Sequence, residues 1–133
     1  MACVLLCIDD RPRLLELRKA ALASHGYSVE TALNGYTAMK VLGQTAVDAV
    51  LLEYKQEGMD AEAVAYQIKQ RFPNLPIILV SAYTDLPERV LWLVDEYVLK
   101  SELPGGGLSS GYSNQHRWGT QTVAKTCSTY STD

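Results

Sequence analysis

The chain has 133 residues, 47% hydrophobic and 20% charged, with a formal net charge of -3, which suits one soluble globular domain with a single core. The negative balance argues against non-specific nucleic-acid binding, which needs a basic face. No apolar run approaches the ~18 residues a membrane helix needs, so neither a nucleic acid nor a membrane is an expected partner.

Met1 to Cys7 is apolar, carries no basic leader and runs directly into Asp9-Asp10. It is expected to be a first strand, Val4 to Ile8, rather than a signal peptide, which points to a cytoplasmic protein. Cys3 and Cys7 would lie about 13 Å apart on that strand at ~3.3 Å per residue, too far to bridge. Without a His partner they do not suggest zinc, and both read as small buried hydrophobes. Cys127 sits in a polar tail and receives no assignment.

Pro12 stands near a helix start, where its missing N–H is harmless. Leu14, Leu17, Ala21 and Leu22 recur at helical spacing and are expected to face the core, with Glu16, Arg18 and Lys19 on the other face. Gly26 is a plausible C-terminal cap. Tyr27 to Ala32 alternates like an edge strand, Asn34-Gly35 turns the chain, and Tyr36 to Leu42 makes a short second helix. Val47 to Glu53 is an apolar run expected to be a strand buried on both faces, ending in a carboxylate. A loop with Gly58 leads to a third helix, Ala61 to Phe72, whose Val64, Ile68 and Phe72 share one face before Pro73 stops it. Strand four, Pro76 to Val80, ends in Ser81-Ala82. A short fourth helix falls within Asp85 to Asp95, and strand five, Glu96 to Leu99, ends at Lys100.

Five strands alternating with four helices predict an α/β fold, a doubly wound parallel sheet of flavodoxin-like type. Function in such sheets gathers at the carboxyl edge of the strands, where Asp9, Asp10, Glu53, Ser81 and Lys100 converge. Carboxylates around one point suit Mg2+, which prefers oxygen ligands. A hydroxyl and an ammonium beside them suit phosphate oxygens, so the residues suggest a metal-assisted phosphoryl site.

In these features residues 2 to 101 closely resemble the receiver domain of bacterial two-component response regulators. The matching features are the acidic pair Asp9-Asp10, the loop Gly58-Met59-Asp60, Ser81-Ala82 after strand four, Tyr97, and Lys100. The resemblance implies direct Mg2+ contact by Asp10, a water-mediated one by Asp9, and a ligand from the Lys55 carbonyl. It gives Ser81 and Lys100 the phosphoryl oxygens, makes Ser81 and Tyr97 switch residues, and implies a sensor histidine kinase or another signalling protein as partner. The phospho-acceptor position falls on Glu53, where the family has Asp, and Ser101 stands where Pro often follows the lysine. One extra methylene displaces the carboxylate, and misplacement by ~1 Å can cost about a hundredfold in transfer. The expected product is therefore an atypical receiver, not an enzyme, acting through protein contacts with little or no phosphorylation. The alternative is a flavodoxin-like ligand-binding module, which needs a Gly/Ser/Thr-rich phosphate loop after strand one, where this chain has Asp9-Asp10-Arg11-Pro12.

Residues 1-103 are thus expected to form the receiver domain. Residues 104-133, rich in Gly, Ser and Thr, read as an irregular or disordered tail, with Trp118 and Val123 as isolated apolar residues. With no fifth helix visible, one sheet face would lie bare, which predicts a homodimer through that face.

Overall fold

The computed structural model describes residues 2–55, 58, 60–100 and 122–127. Five parallel strands, β1 (Val4–Ile8), β2 (Ser28–Ala32), β3 (Ala49–Glu53), β4 (Ile77–Ser81) and β5 (Glu96–Leu99), form one sheet in the order β2-β1-β3-β4-β5. Four helices connect them, α1 (Pro12–Ala23), α2 (Gly35–Gln44), α3 (Ala61–Arg71) and α4 (Glu88–Leu91). Residues 122–127 are also helical and are called α5 here.

The central strands are apolar on both faces because both are covered. Leu6 and Ile8 of β1, Val50 and Leu52 of β3, and Ile77 and Leu79 of β4 pack with Ala38 and Leu42 of α2 and with Val64 and Ile68 of α3. Their alternates, Leu5, Cys7, Ala49, Leu51, Ile78 and Val80, pack with Leu15 and Leu22 of α1. Among the described residues β2 pairs only with β1, and it has exposed or half-buried positions, as the edge reading predicts.

Local chemistry sets the helix ends. Pro12 occupies the first turn of α1, and Gly26 beyond its end takes φ +94°, a left-handed value that residues with a Cβ rarely adopt. The Asn34 side chain accepts from the Thr37 N–H at 2.8 Å. Asp60 likewise accepts from the amides of Glu62 and Ala63 at 3.0 and 3.3 Å. Both satisfy amide donors that a helix start leaves orphaned. α4 is a single turn, shorter than the Asp85 to Asp95 span allowed from the sequence.

Three sequence expectations need correction. The buried stripe of α1 is Leu15, Arg18 and Leu22, whereas Leu17 is 54% exposed. The helix is rotated by about one residue, roughly 100°, from the orientation its leucines favour, and the rotation takes Arg18 inside. Second, the tail is not irregular throughout, because residues 122–127 are helical and place Val123 and Cys127 in the core beside α1. That docking covers part of the face expected to be bare. Third, Cys3 is disulfide-bonded to Cys127, with Cα atoms 6.1 Å apart. A long-range pair of this kind has no signature in spacing. Cys7 is free and buried as expected, and burial pushes its thiol up to about 12. The positions of Trp118 and Ser101 lie outside the described residues.

Candidate functional site

The parallel register brings the strand ends to one edge. Ile8 pairs with Leu52 and Glu53 with Val80, while Ser81 pairs with Leu99. Asp9 and Asp10 leave β1, Glu53 is the last residue of β3, Ser81 the last of β4, and Lys100 follows β5. Glu53 is 2% exposed and Asp9 1%, so both carboxylates need partners.

Those partners are cations. Arg11 Nε donates to Asp9 Oδ1 at 3.2 Å and its Nη2 to Oδ2 at 3.4 Å, and the Arg11 amide also donates to Oδ1 at 3.1 Å. The same Nη2 lies 3.7 Å from Glu53 Oε1. Lys100 Nζ stands 3.7 Å from Glu53 Oε1 and Arg18 Nη1 3.9 Å from it. Burial pushes the Glu53 carboxyl above its ordinary range, and the charge of Asp9 adds to this; Lys100, Arg18 and Arg11 pull it back. The hydrogen bond to Asp9 is the main reason that the Arg11 guanidinium is held more firmly protonated than usual. Asp10 Oδ2 accepts from the Gly58 N–H at 2.7 Å. That contact ties the loop after β3 to the loop after β1.

On the far side Ser81, fully buried, forms a closed pair with Tyr83. Its Oγ accepts from the Tyr83 N–H at 2.9 Å and donates to the Tyr83 carbonyl at 3.2 Å. The half-buried Tyr97 donates its hydroxyl to the same carbonyl at 2.6 Å. Lys55 Nζ sits 5.9 Å from the centre of the Tyr83 ring, a cation–π distance. Tyr83 therefore links three of the residues singled out in the sequence.

The sequence-predicted residues thus do assemble at one edge, in two linked groups around Glu53 and Tyr83. Arg11, Arg18 and Tyr83 were missed. Arg18 had a signal, since 15, 18 and 22 follow helical spacing, but an arginine is normally assigned to solvent. Arg11 and Tyr83 lie two residues from Asp9 and Ser81, which they hydrogen-bond, but their reach to Glu53 and Tyr97 comes only with the tertiary structure. A cleft between Leu42, Val47, Phe72 and Pro76 is at the opposite edge, where the strands begin.

The donor set does not fit a divalent ion. Mg2+ demands oxygen ligands at about 2.0–2.1 Å in near-octahedral geometry. Both Asp9 oxygens are taken by one guanidinium, and three cations stand within 4 Å of Glu53 Oε1. Among the described residues no group of three or more His, Cys, Asp or Glu side chains is placed to hold a metal.

A family model, the response regulator receiver domain, matches residues 5–101. The transcriptional regulatory protein GlrR of Escherichia coli K12 is 36% identical over 86 residues, covering 65% of this chain and 19% of GlrR. The response regulator MprA of a Mycobacterium species (strain KMS) is 31% identical over 99 residues, covering 72% of this chain and 43% of MprA. The matched segment therefore spans less than half the length of either relative. Among solved structures, the response regulator TrrA of Thermotoga maritima in complex with Mg2+ and BeF superimposes with a TM-score of 0.69 at 30% identity, covering 90% of this chain and 97% of that one. TrrA in complex with the histidine kinase ThkA gives 0.70 at 29%, with the same coverage. With the sheet order, the edge geometry and the family model in agreement, this chain belongs to the response regulator receiver domain family of two-component systems.

Proposed function

We propose that the chain is an atypical receiver that signals through protein contacts, with residue 53 accepting little or no phosphoryl group. In this reading residues 1–103 are the receiver unit, residues 104–133 a tail docked through α5, and a sensor histidine kinase or another signalling protein the partner. The complex of ThkA with TrrA supports that kind of partner. The module is a signalling part and not an enzyme. Cytoplasmic residence belongs to the same reading, and in that compartment thiol–disulfide exchange would govern the Cys3–Cys127 bond.

The observation that carries the reading is Glu53. Its carboxylate is buried at the end of β3, one methylene longer than an Asp, and ringed by Arg11, Arg18 and Lys100. Phosphoryl transfer depends on positioning, and a carboxylate held in ion pairs is a poor attacking group. Lys100 and Ser81 remain the positions assigned to phosphoryl oxygens, but Lys100 is paired with Glu53 and Ser81 is closed on Tyr83. Tyr97, the switch position, is tied to the same carbonyl. Glu53 thereby supplies about one negative charge to Lys100, where a phosphoryl group would bring nearly two. It acts as a partial, permanent mimic.

Intact mass spectrometry after incubation with Mg2+ and a small acyl phosphate tests this. The expected result is an unmodified chain. A gain of one phosphoryl group, acid-stable, base-labile and mapped to residue 53, would overturn the reading.

A further inference from the structure

We propose that Arg11, together with Arg18, is a built-in replacement for a divalent cation, so that the acidic pocket of this receiver is complete without metal. The inference rests on the receiver reading for the location of the pocket and goes beyond it in what occupies the place of the ion.

Three carboxylates, Asp9, Asp10 and Glu53, lie at this edge. One cation, Lys100, is what the strand-five position supplies. A pocket with only these four groups would carry two uncompensated negative charges, the deficit a divalent ion makes good. Here Arg11 and Arg18 bring two positive charges to the same place, and the count closes without any ion. The geometry follows the count. Arg11 spans the two buried acids, forked on Asp9 through Nε and Nη2 and reaching Glu53 Oε1 with Nη2. A planar guanidinium matches a carboxylate in this way and does not lose its proton in proteins.

Arg18 makes the arrangement permanent. It is 3% exposed on the inward face of α1, and among the described residues its Nε has no hydrogen-bond partner. A buried guanidinium without an anion would be severely unfavourable, so its presence is intelligible only opposite Glu53. Arg18 approaches Glu53 from the α1 side, while Arg11 lies across the mouth, its side chain 45% exposed. An incoming cation would have to displace Arg11 from Asp9 and then sit within a few ångströms of two further positive groups. Asp10, the remaining acid, is engaged on Oδ2 by the Gly58 amide.

The test is titration of the intact chain with Mn2+, read by paramagnetic broadening of amide resonances near Asp10 and by the thermal midpoint in Mg2+. Wild type is expected to show neither a saturable broadening nor a shift in midpoint. Arg11→Ala and Arg11→Gln, changes at a half-exposed side chain with native fold checked by circular dichroism, are expected to tighten Mn2+ binding by roughly tenfold or more. Arg11→Lys keeps the charge and is expected to stay refractory. Saturable metal binding by wild type that Asp10→Ala abolishes would overturn the inference. So would folded Arg11→Ala and Arg11→Gln proteins as refractory as wild type. Wild type that binds Mn2+ yet takes no phosphoryl group would remove this inference and leave the functional reading standing. Wild type that is phosphorylated at residue 53 yet shows no Mn2+ binding would do the reverse.

Discussion

Arg18 of α1 and Glu53 of β3 face each other inside the protein, Nη1 to Oε1 at 3.9 Å, with side chains 3% and 2% exposed. Burying either charge alone would be costly, and the attraction between them offsets desolvation only while both remain. The pair also explains the orientation of α1. Turning Leu14 and Leu17 inward would carry Arg18 away from Glu53 and leave the acid short of a partner.

Glu53→Met is therefore expected to destabilise the chain by about 3 kcal/mol or more, because it strands the buried Arg18, whereas Glu53 keeps Arg11 and Lys100 when Arg18 is removed. The double variant Arg18→Met with Glu53→Met removes both charges and is expected to recover most of the loss. Urea unfolding followed by circular dichroism measures both. A double variant less stable than the single one would mean that the pair does not act as a unit.

Stability should also depend on pH through Glu53. Burial, the largest cause, places its folded pKa above the ordinary 4.5. The folded state then holds this proton more tightly than the unfolded state. That contribution is fully present below pH ~4.5 and is lost as pH rises through the folded value. Glu53→Gln imitates the protonated side chain, so its stability relative to wild type should stay level at acid pH and then rise towards neutrality. Denaturant midpoints across that range are the measurement. A relative stability falling with pH would show that the three cations outweigh burial.

The Cys3–Cys127 bond closes almost the whole chain, with a sequence separation of 124. Cross-linking a loop of that size restricts the unfolded ensemble, with an expected stabilisation of about 2–5 kcal/mol. Reduction by dithiothreitol should lower the unfolding free energy by that amount. Cys127→Ser should show the same loss and no further response to reductant. It should also bind a hydrophobic dye more strongly, because α5 carries the fully buried Val123 onto the sheet. Equal stability with and without reductant would count against the clasp.

Asp95 pins the start of β5 to the start of β4, at the edge opposite the site. Its Oδ2 accepts from the Ile77 amide at 2.8 Å and from Lys69 Nζ at 2.7 Å, joining α3, β4 and the start of β5. Asp95→Ala leaves the amide short of its partner and should cost about 1–3 kcal/mol. Because β4 and β5 carry Ser81, Tyr97 and Lys100, amide shifts are expected to spread to Tyr83. Shifts confined to Lys69 and Ile77 would show that the pin is merely local.

Patterns of one residue type along a strand or helix were legible without coordinates. The apolar runs of β1, β3 and β4 announce strands covered on both sides, since only such strands can be apolar at every position. The alternation of strands with helices then fixes parallel pairing and sends every strand end to the same edge. Asp9, Asp10, Glu53, Ser81 and Lys100 could accordingly be brought together from order alone.

What the tertiary structure decided is which charges meet at that edge and what closes the opposite face. α1 has two helical stripes one residue apart, and propensity cannot choose between them. The choice falls to Glu53, which lies 35 positions after Arg18 in the chain and becomes its neighbour only when β3 forms beside β1. Val123 and Cys127 look unremarkable in a polar tail, because six helical residues give too short a stripe to recognise. Their burial depends on a sheet face built by residues at the other end of the chain, and Cys3 and Cys127 find each other only across that face.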